Sequence, residues 1–107
     1  MIIYNVTTNI ADEVEQQWLL WMRTSHIPAV LATGKFLTAR LVRVLVDEEM
    51  GGATYAAQYT AENSEQLKKY IADDAPKLRD EAIALFGDKM LAFRTKLEVI
   101  EDFTPKY

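Results

Sequence analysis

The only histidine of this chain lies close to both of its tryptophans, in the stretch W-L-L-W-M-R-T-S-H-I-P. An imidazole with an ordinary pKa can act as an acid, a base or a ligand near neutral pH, which makes His26 the candidate catalytic residue. Trp18 and Trp21 offer flat aromatic walls that suit a planar ligand. Residues four apart share one face of a helix, so Trp18, Met22 and His26 are expected to form one row.

The same residues also have structural explanations. Val14, Trp18 and Met22 recur at helical spacing, which is the pattern of a helix that packs against a sheet, and packing is the favoured explanation of the tryptophans. A histidine without a visible partner can simply help to end its helix. A functional role for His26 therefore depends on a cavity beside it, and a well-packed interior there would exclude that role.

Polar residues also occur inside predicted strands. Asparagine is disfavoured within strands, so Asn5 either contacts a ligand or makes a structural hydrogen bond. The guanidinium of Arg94 can bind a carboxylate through two hydrogen bonds, although pairing with a neighbouring acid is the favoured role of a strand arginine. Tyr59 brings a phenol to the same sheet. The predicted ligand-binding residues around His26 are Asn5, Trp18, Trp21, Met22, Tyr59 and Arg94.

The composition and the missing motifs exclude several other chemistries. The absence of cysteine removes disulfides, thiol nucleophiles and thiolate metal ligands. No phosphate loop, dinucleotide motif, nucleophile elbow or spaced set of metal ligands occurs, and we predict neither a metal nor a cofactor. A net charge of -4 does not provide the positive field that nucleic-acid binding requires. Because no apolar run is long enough to span a bilayer and the first residues resemble a strand rather than a signal peptide, we expect a cytoplasmic protein without a membrane partner.

Two helical regions and four strands account for most of the chain. β-branched and aromatic residues predict the strands, and apolar residues at helical spacing predict the helices. Pro28 is expected to end or kink the first helix at Ile27, and Asn63 and Asp74 are expected to cap two consecutive helices, the second ending at Gly87. The predicted strands cover residues 2–9, 36–46, 54–60 and 90–101; the helices cover residues 11–24, 28–33 and 63–86; residues 47–52 form a polar hairpin connection.

This βαββαβ order predicts an α+β, ferredoxin-like fold in a single domain over residues 1–107. Two helices would cover one face of a four-stranded antiparallel sheet. The strands carry apolar residues of both parities, so the second face is mixed rather than fully solvated. The simplest explanation is that this face packs against the sheet of a second copy, which predicts a homodimer.

Several short motifs together resemble a family of small bacterial proteins of unknown function in the dimeric α/β-barrel superfamily, which includes antibiotic-biosynthesis monooxygenases. The motifs are I-I-Y-N-V-T, W-x-x-W-M-x-x-x-H-I-P, T-G-x-F, Q-Y-T and F-R-T. The resemblance implies a ferredoxin-like monomer whose sheet pairs with a second copy to form a barrel. It also implies that Asn5, on the first strand, faces the pocket between sheet and helices. The superfamily contains monooxygenases, isomerases and haem-degrading oxygenases, so the resemblance implies a fold more specifically than a reaction.

Three functional hypotheses remain open. The first is an enzyme that oxygenates, isomerises or decarboxylates a small planar or aromatic molecule in a pocket between the sheet and the first helix, with His26 as the acid–base group and Asn5 orienting the substrate. The second is a module that binds a ligand or a protein without catalysis, including a haem-binding version with His26 as axial ligand. The third is a structural homodimer whose conspicuous residues serve only packing.

Overall fold

The computed structural model describes residues 1–49 and 51–106, so Met50, in the predicted hairpin connection, and Tyr107 lie outside the described residues. Strands and helices follow one another in the predicted βαββαβ order, with each helical region divided into two α-helices. In chain order they are β1 (Ile2–Ile10), α1 (Glu15–Trp21), α2 (Ile27–Ala32), β2 (Thr38–Arg43), β3 (Ala53–Ala61), α3 (Ser64–Asp73), α4 (Ala75–Phe86) and β4 (Met90–Glu98).

The four strands form one antiparallel sheet in the order β2-β3-β1-β4. β1 is central and pairs along its whole length with β3 on one side and β4 on the other. Tyr4 lies opposite Tyr59 of β3 and Lys96 of β4, and this register decides which residues share a face. The arrangement confirms the predicted ferredoxin-like α+β fold.

The first helical region does not break at Pro28. A 3-10 turn (Asp12–Val14), α1, a π turn (Met22–His26) and α2 follow one another without leaving helical geometry. Ile27 keeps helical dihedral angles, and its N–H donates to the carbonyl oxygen of Met22, five residues earlier. Proline has no N–H to offer the carbonyl four residues before it, so the wider π turn carries the helix through this point. The helix therefore does not end at Ile27, and the irregularity before Pro28 is a π turn.

The strands differ from the predicted ranges at their ends. The second strand is shorter than residues 36–46, although the Leu37 N–H donates to the Thr60 oxygen (2.7 Å) and the Val44 N–H to the Thr54 oxygen (2.8 Å) just outside it. The last strand stops at Glu98 rather than at residue 101. Its pairing with β1 ends with the hydrogen bond that the Val99 N–H donates to the Met1 oxygen (2.9 Å).

The two predicted caps have different outcomes. Asn63 caps α3, since its side-chain oxygen accepts a hydrogen bond from the Gln66 N–H at 3.0 Å. Asp74 precedes α4, but its carboxylate makes no cap hydrogen bond and instead pairs with the Lys35 ammonium at 2.9 Å. The backbone of Asp74 stays in the helical region, so α4 nearly continues α3 and the predicted side-chain cap is wrong. Gly87 ends α4 with a positive φ of 53°, as predicted.

All helices lie on one face of the sheet, which we call the inner face. Tyr4, Tyr59, Trp18 and Phe86 are among the buried residues of the core on this side. The opposite, outer face carries the odd-numbered residues of β1 and, on the edge strand β4, the exposed side chains of Leu91, Phe93 and Leu97. The core therefore forms between sheet and helices, and the outer face has no covering layer within residues 1–49 and 51–106.

Candidate functional site

The π turn brings His26 onto Trp21. Five residues along a regular α-helix would place two side chains about 140° apart around the axis. The wider π turn instead returns His26 over Trp21, and the two rings stack with centroids 4.6 Å apart and planes 25° apart. Trp21 also contacts Phe86 of α4 edge-on, at 5.4 Å between ring centroids. The helical irregularity thus positions the only imidazole against an aromatic wall.

Trp18, one helical turn before the π turn, is the second tryptophan of this aromatic wall. It is 2 % exposed and packs against Tyr55 with ring centroids 5.2 Å apart. The Tyr55 hydroxyl donates to the Glu15 carboxylate at 2.5 Å, which holds α1 on β3. Burial and the nearby Glu15 carboxylate raise the pKa of Tyr55, so its phenol keeps the proton that it donates. This anchoring makes the wall a rigid part of the fold.

A pocket of about 60 Å³ lies between the inner face of the sheet and the helices. At about 15 Å³ for each water, it has space for roughly four waters. Its lining residues come from β1, the first helical region, β3, α3, α4 and β4, and most of them are apolar or aromatic. They are Tyr4, Val6, Thr8, Trp18, Trp21, Met22, His26, Ala57, Tyr59, Tyr70, Ala75, Leu78, Arg79, Ala82, Met90, Ala92 and Arg94.

The exposed lining residues of the pocket are two arginines, which mark its mouth. Arg79 belongs to α4 and Arg94 to the edge strand β4, so the pocket opens between this helix and this strand. Both positive charges act on the Tyr70 phenol, and that of Arg94 also acts on His26. No aspartate or glutamate lines the pocket. The mouth is therefore positively charged, although the chain as a whole is negative.

His26 is uncharged at neutral pH. Burial, with the positive charge of Arg94 as a second cause, lowers the pKa of its imidazole from 6.5 to about 4. Its Nδ1 atom is buried and has no hydrogen-bond partner among the described residues. Buried polar atoms in proteins are usually hydrogen-bonded, so the missing partner of this nitrogen is unusual. A neutral imidazole can donate from one nitrogen and accept at the other.

Tyr59 and Tyr70 add phenol groups to the polar part of the lining, which also includes Tyr4 and Thr8. Burial, reinforced by the neighbouring Tyr4 phenol and the Asp74 carboxylate, raises the pKa of Tyr70 to about 12. Burial also raises the pKa of Tyr59, with neighbouring phenols adding to the effect. Both hydroxyl groups are therefore protonated at neutral pH and can donate a hydrogen bond. Together with His26 and the arginines, they give the pocket an excess of donors.

Residues 1–100 match the family model described as Domain of unknown function (DUF4286). The chain belongs to this family. The match agrees with the predicted resemblance to small proteins of unknown function. No curated protein matches the chain.

Solved structures share the fold of this DUF4286 protein at low sequence identity. A variant of MhuD with two manganese protoporphyrin IX molecules bound per active site has a TM-score of 0.71 and 17% identity, over 98% of this chain and 100% of that chain. SnoaB, a cofactor-independent oxygenase from Streptomyces nogalater, has a TM-score of 0.67 and 8% identity, over 97% of each chain. A dimeric ferredoxin-like protein from an uncultured marine organism has a TM-score of 0.67 and 11% identity, over 95% of this chain and 97% of that chain. They agree with the predicted superfamily and support the fold alone.

Most residues predicted for the site do meet at this pocket. Trp18, Met22 and His26 all line it, although the π turn places His26 over Trp21 rather than in a regular row after Met22; Tyr59 and Arg94 line it from the sheet. Asn5 does not. It lies one residue from Tyr4 along β1, so its side chain faces the outer side of the sheet, where its Nδ2 donates to the Thr7 hydroxyl at 3.0 Å. The expectation that Asn5 faces His26 across the pocket is therefore wrong.

The predicted pairing of strand arginines with neighbouring acids is also not found. The ion pairs of the described residues all have lysine as the cation: Lys35 with Asp74, Lys68 with Glu65, and Lys89 with Glu13. Arg43 instead lies over the Tyr55 ring, 5.7 Å from its centroid. Arg94 is left at the mouth of the pocket without an acidic partner among these residues.

Sequence reasoning missed three polar lining residues: Thr8, Tyr70 and Arg79. Thr8 has the parity of Tyr4 on β1 and is buried at the sheet. Tyr70 follows Leu67 by three residues and so belongs to the apolar face of α3, which was a signal that it points inward. Arg79 follows the buried Leu78 and is exposed, and nothing in its local pattern separates it from an ordinary surface residue.

The described part of the chain has neither a cluster of metal ligands nor a membrane-spanning helix. Among residues 1–49 and 51–106, no group of three or more histidine, cysteine, aspartate or glutamate side chains is placed to hold a metal ion. Within the same residues, no helix has the length and apolar character that crossing a membrane requires.

Proposed function

We propose that this protein binds a small planar or aromatic molecule in the pocket between the sheet and the first helical region. The observation that carries the proposal is the buried, unpartnered Nδ1 of His26 at a pocket whose other walls are largely aromatic or apolar. Trp18 and Trp21 supply flat surfaces, and a few polar groups supply orientation. Ligand pockets commonly combine these two properties.

In this proposal His26 contacts the ligand as a neutral imidazole. A pKa of about 4 leaves very little imidazolium at neutral pH, so His26 is a poor source of protons for a general-acid step. It can form a hydrogen bond through Nδ1 while the Trp21 ring holds its orientation. Tyr59 and Tyr70 supply further donors. The residue predicted to be catalytic is therefore better suited to binding and orienting.

The size of the pocket favours a ligand much smaller than a porphyrin. About 60 Å³ holds roughly four waters, whereas typical pockets for drug-sized ligands measure about 300–1,000 Å³. A fragment of one ring fits the available space more closely, with its polar end at the mouth.

We also propose that the protein is a homodimer that packs through the outer face of the sheet. Leu91, Phe93 and Leu97 are 59%, 61% and 41% exposed on β4 and form an apolar stripe on this face. The buried Oδ1 of Asn5 lacks a partner among the described residues and lies on the same face. A second copy would cover the stripe, and a dimeric ferredoxin-like protein shares this fold.

Filling the pocket tests the ligand-binding proposal. Ala82 is buried and lines the pocket from α4, so Ala82→Leu places three more carbons there. Ala84→Leu is the matched control, because Ala84 lies on the exposed side of the same helix. Benzamide and benzoate are titrated separately into each protein, while NMR follows the indole N–H signals of Trp18 and Trp21.

We expect saturable shifts in the wild type and in Ala84→Leu, with dissociation constants in the millimolar range for such small fragments. In Ala82→Leu the shifts are lost, although circular dichroism shows a folded protein; overpacking costs about 1–3 kcal/mol. If neither compound moves the indole signals of the wild type, or if Ala82→Leu binds as well as Ala84→Leu, the proposal is overturned.

A further inference from the structure

We propose that the ligand carries a carboxylate or a similar planar anionic group, and that Arg94 and Arg79 bind this group at the mouth of the pocket. The inference rests on the proposed function and names the chemical class of the ligand. It follows from the charges at the mouth, from the partners of those charges and from the hydrogen-bond donors behind them.

The lining has a charge opposite to that of the chain. The chain contains 16 acidic and 12 basic residues, yet among residues 1–49 and 51–106 the pocket is lined by two arginines and by no aspartate or glutamate. Asp74 is the acidic residue whose charge acts on the Tyr70 phenol. Its carboxylate is already paired with the Lys35 ammonium at 2.9 Å. The positive charge at the mouth is therefore not neutralised by this neighbour.

Neither arginine makes an ion pair within residues 1–49 and 51–106. A guanidinium presents several N–H donors in one plane and matches the two oxygens of a carboxylate. Arg79 and Arg94 come from different elements, a helix and an edge strand, and both act electrostatically on Tyr70. An anion between them would be bound from two sides.

The polar groups behind the arginines also fit an anion. The Tyr70 hydroxyl keeps its proton at neutral pH and can donate it in a hydrogen bond to a carboxylate oxygen. Neutral His26 can donate through Nδ1 in one of its tautomers, and this atom has no partner among the described residues. No carboxylate of the lining competes for these donors.

The depth of the pocket explains why the charge belongs at the mouth. Burying an ionised group without full compensation is costly, whereas a group at the rim keeps part of its hydration. The arginines are exposed, while Trp18, Met22, Tyr59 and Ala82 farther inside are buried. An aromatic acid would therefore place its ring against the inner walls and its carboxylate between the arginines.

Benzoate and benzamide test the inference because they share a planar ring and differ in charge. In the wild type, we expect benzoate to bind at least about tenfold more tightly than benzamide, since charge-assisted hydrogen bonds are the stronger kind. Arg94→Gln and Arg79→Gln should each weaken benzoate about tenfold and leave benzamide within about twofold. Added salt should weaken benzoate selectively, because both guanidinium groups are exposed.

Lys77→Gln is the control for net charge, since Lys77 is an exposed residue of α4 that does not line the pocket. It should leave both dissociation constants unchanged. Equal binding of benzoate and benzamide, or equal weakening of both by the pocket variants, overturns the inference while leaving the proposed pocket function intact. Failure of both compounds to bind the wild type overturns the proposed function and the inference together.

Discussion

His26 couples the stability of the fold to pH. Its pKa is about 4 in the folded protein against 6.5 ordinarily, because burial and Arg94 disfavour the charged ring. As pH falls below 6.5, the unfolded chain therefore takes up a proton that the folded chain refuses. This contribution to stability is fully present above pH 6.5 and is lost as pH falls from 6.5 towards 4.

A glutamine at this position removes the coupling. Between pH 7 and pH 4, we expect wild-type stability to fall more than that of His26→Gln, by up to about 3 kcal/mol. Urea unfolding of both proteins at a series of pH values measures the difference, and carboxylates common to both contribute equally to the two curves. Parallel curves would mean that His26 titrates in the folded protein with its ordinary pKa.

The residues of the site were predictable to different degrees for physical reasons. Trp18, Met22 and His26 share a helical spacing, and all three line the pocket even though the π turn moves His26 onto Trp21. Asn5 belongs to a strand in which side chains alternate between faces, so a one-residue change of parity reverses its location. The even-numbered residues of β1 are almost all apolar or aromatic and the odd-numbered ones are mostly polar, so this alternation was the signal that Asn5 faces away from the core. Arg79 gave no signal because exposed arginines on helices are ordinary.

At the scale of elements, the π turn is what places the imidazole. A proline in a helical pattern predicts a break or a kink. The sequence shows where this irregularity lies but not which backbone geometry the chain adopts there. Here the chain stays helical by widening one turn, which also stacks His26 on Trp21. The order of the elements was predictable from periodicity, whereas this irregularity depends on packing over the sheet.

Restoring an N–H at residue 28 tests the origin of the turn. Pro28→Ala supplies the donor that the Thr24 carbonyl lacks, so we expect the helix to tighten and His26 to leave the Trp21 ring. Less burial should then move the pKa of His26 from about 4 towards 6.5, which NMR titration of the imidazole measures. Ser25→Ala, an exposed substitution within the same turn, is the control. An unchanged pKa in Pro28→Ala would show that packing of Met22 and Trp21 maintains the turn without the proline.

At the scale of the whole molecule, the two faces of the sheet have different roles. The inner face carries the core and the pocket, and the outer face carries the apolar stripe of Leu91, Phe93 and Leu97. The mixed parity of the strands in the sequence predicts that the second face is covered as well. The sequence pattern alone could not show that the apolar stripe runs along an edge strand. The edge position of β4 depends on the strand order of the sheet.

Phe93 is the residue through which the homodimer can be tested. It is 61% exposed in the centre of the stripe, so Phe93→Glu leaves the core untouched but would bury a charge from each subunit in the proposed interface. We expect the wild type to sediment as a dimer at micromolar concentration and Phe93→Glu to sediment as a folded monomer. Leu20→Glu places the same charge at a site 60% exposed on α1, away from the outer face, and should remain dimeric. A wild type that sediments as a monomer at this concentration would contradict the proposed interface, as would a dimer that Phe93→Glu does not weaken.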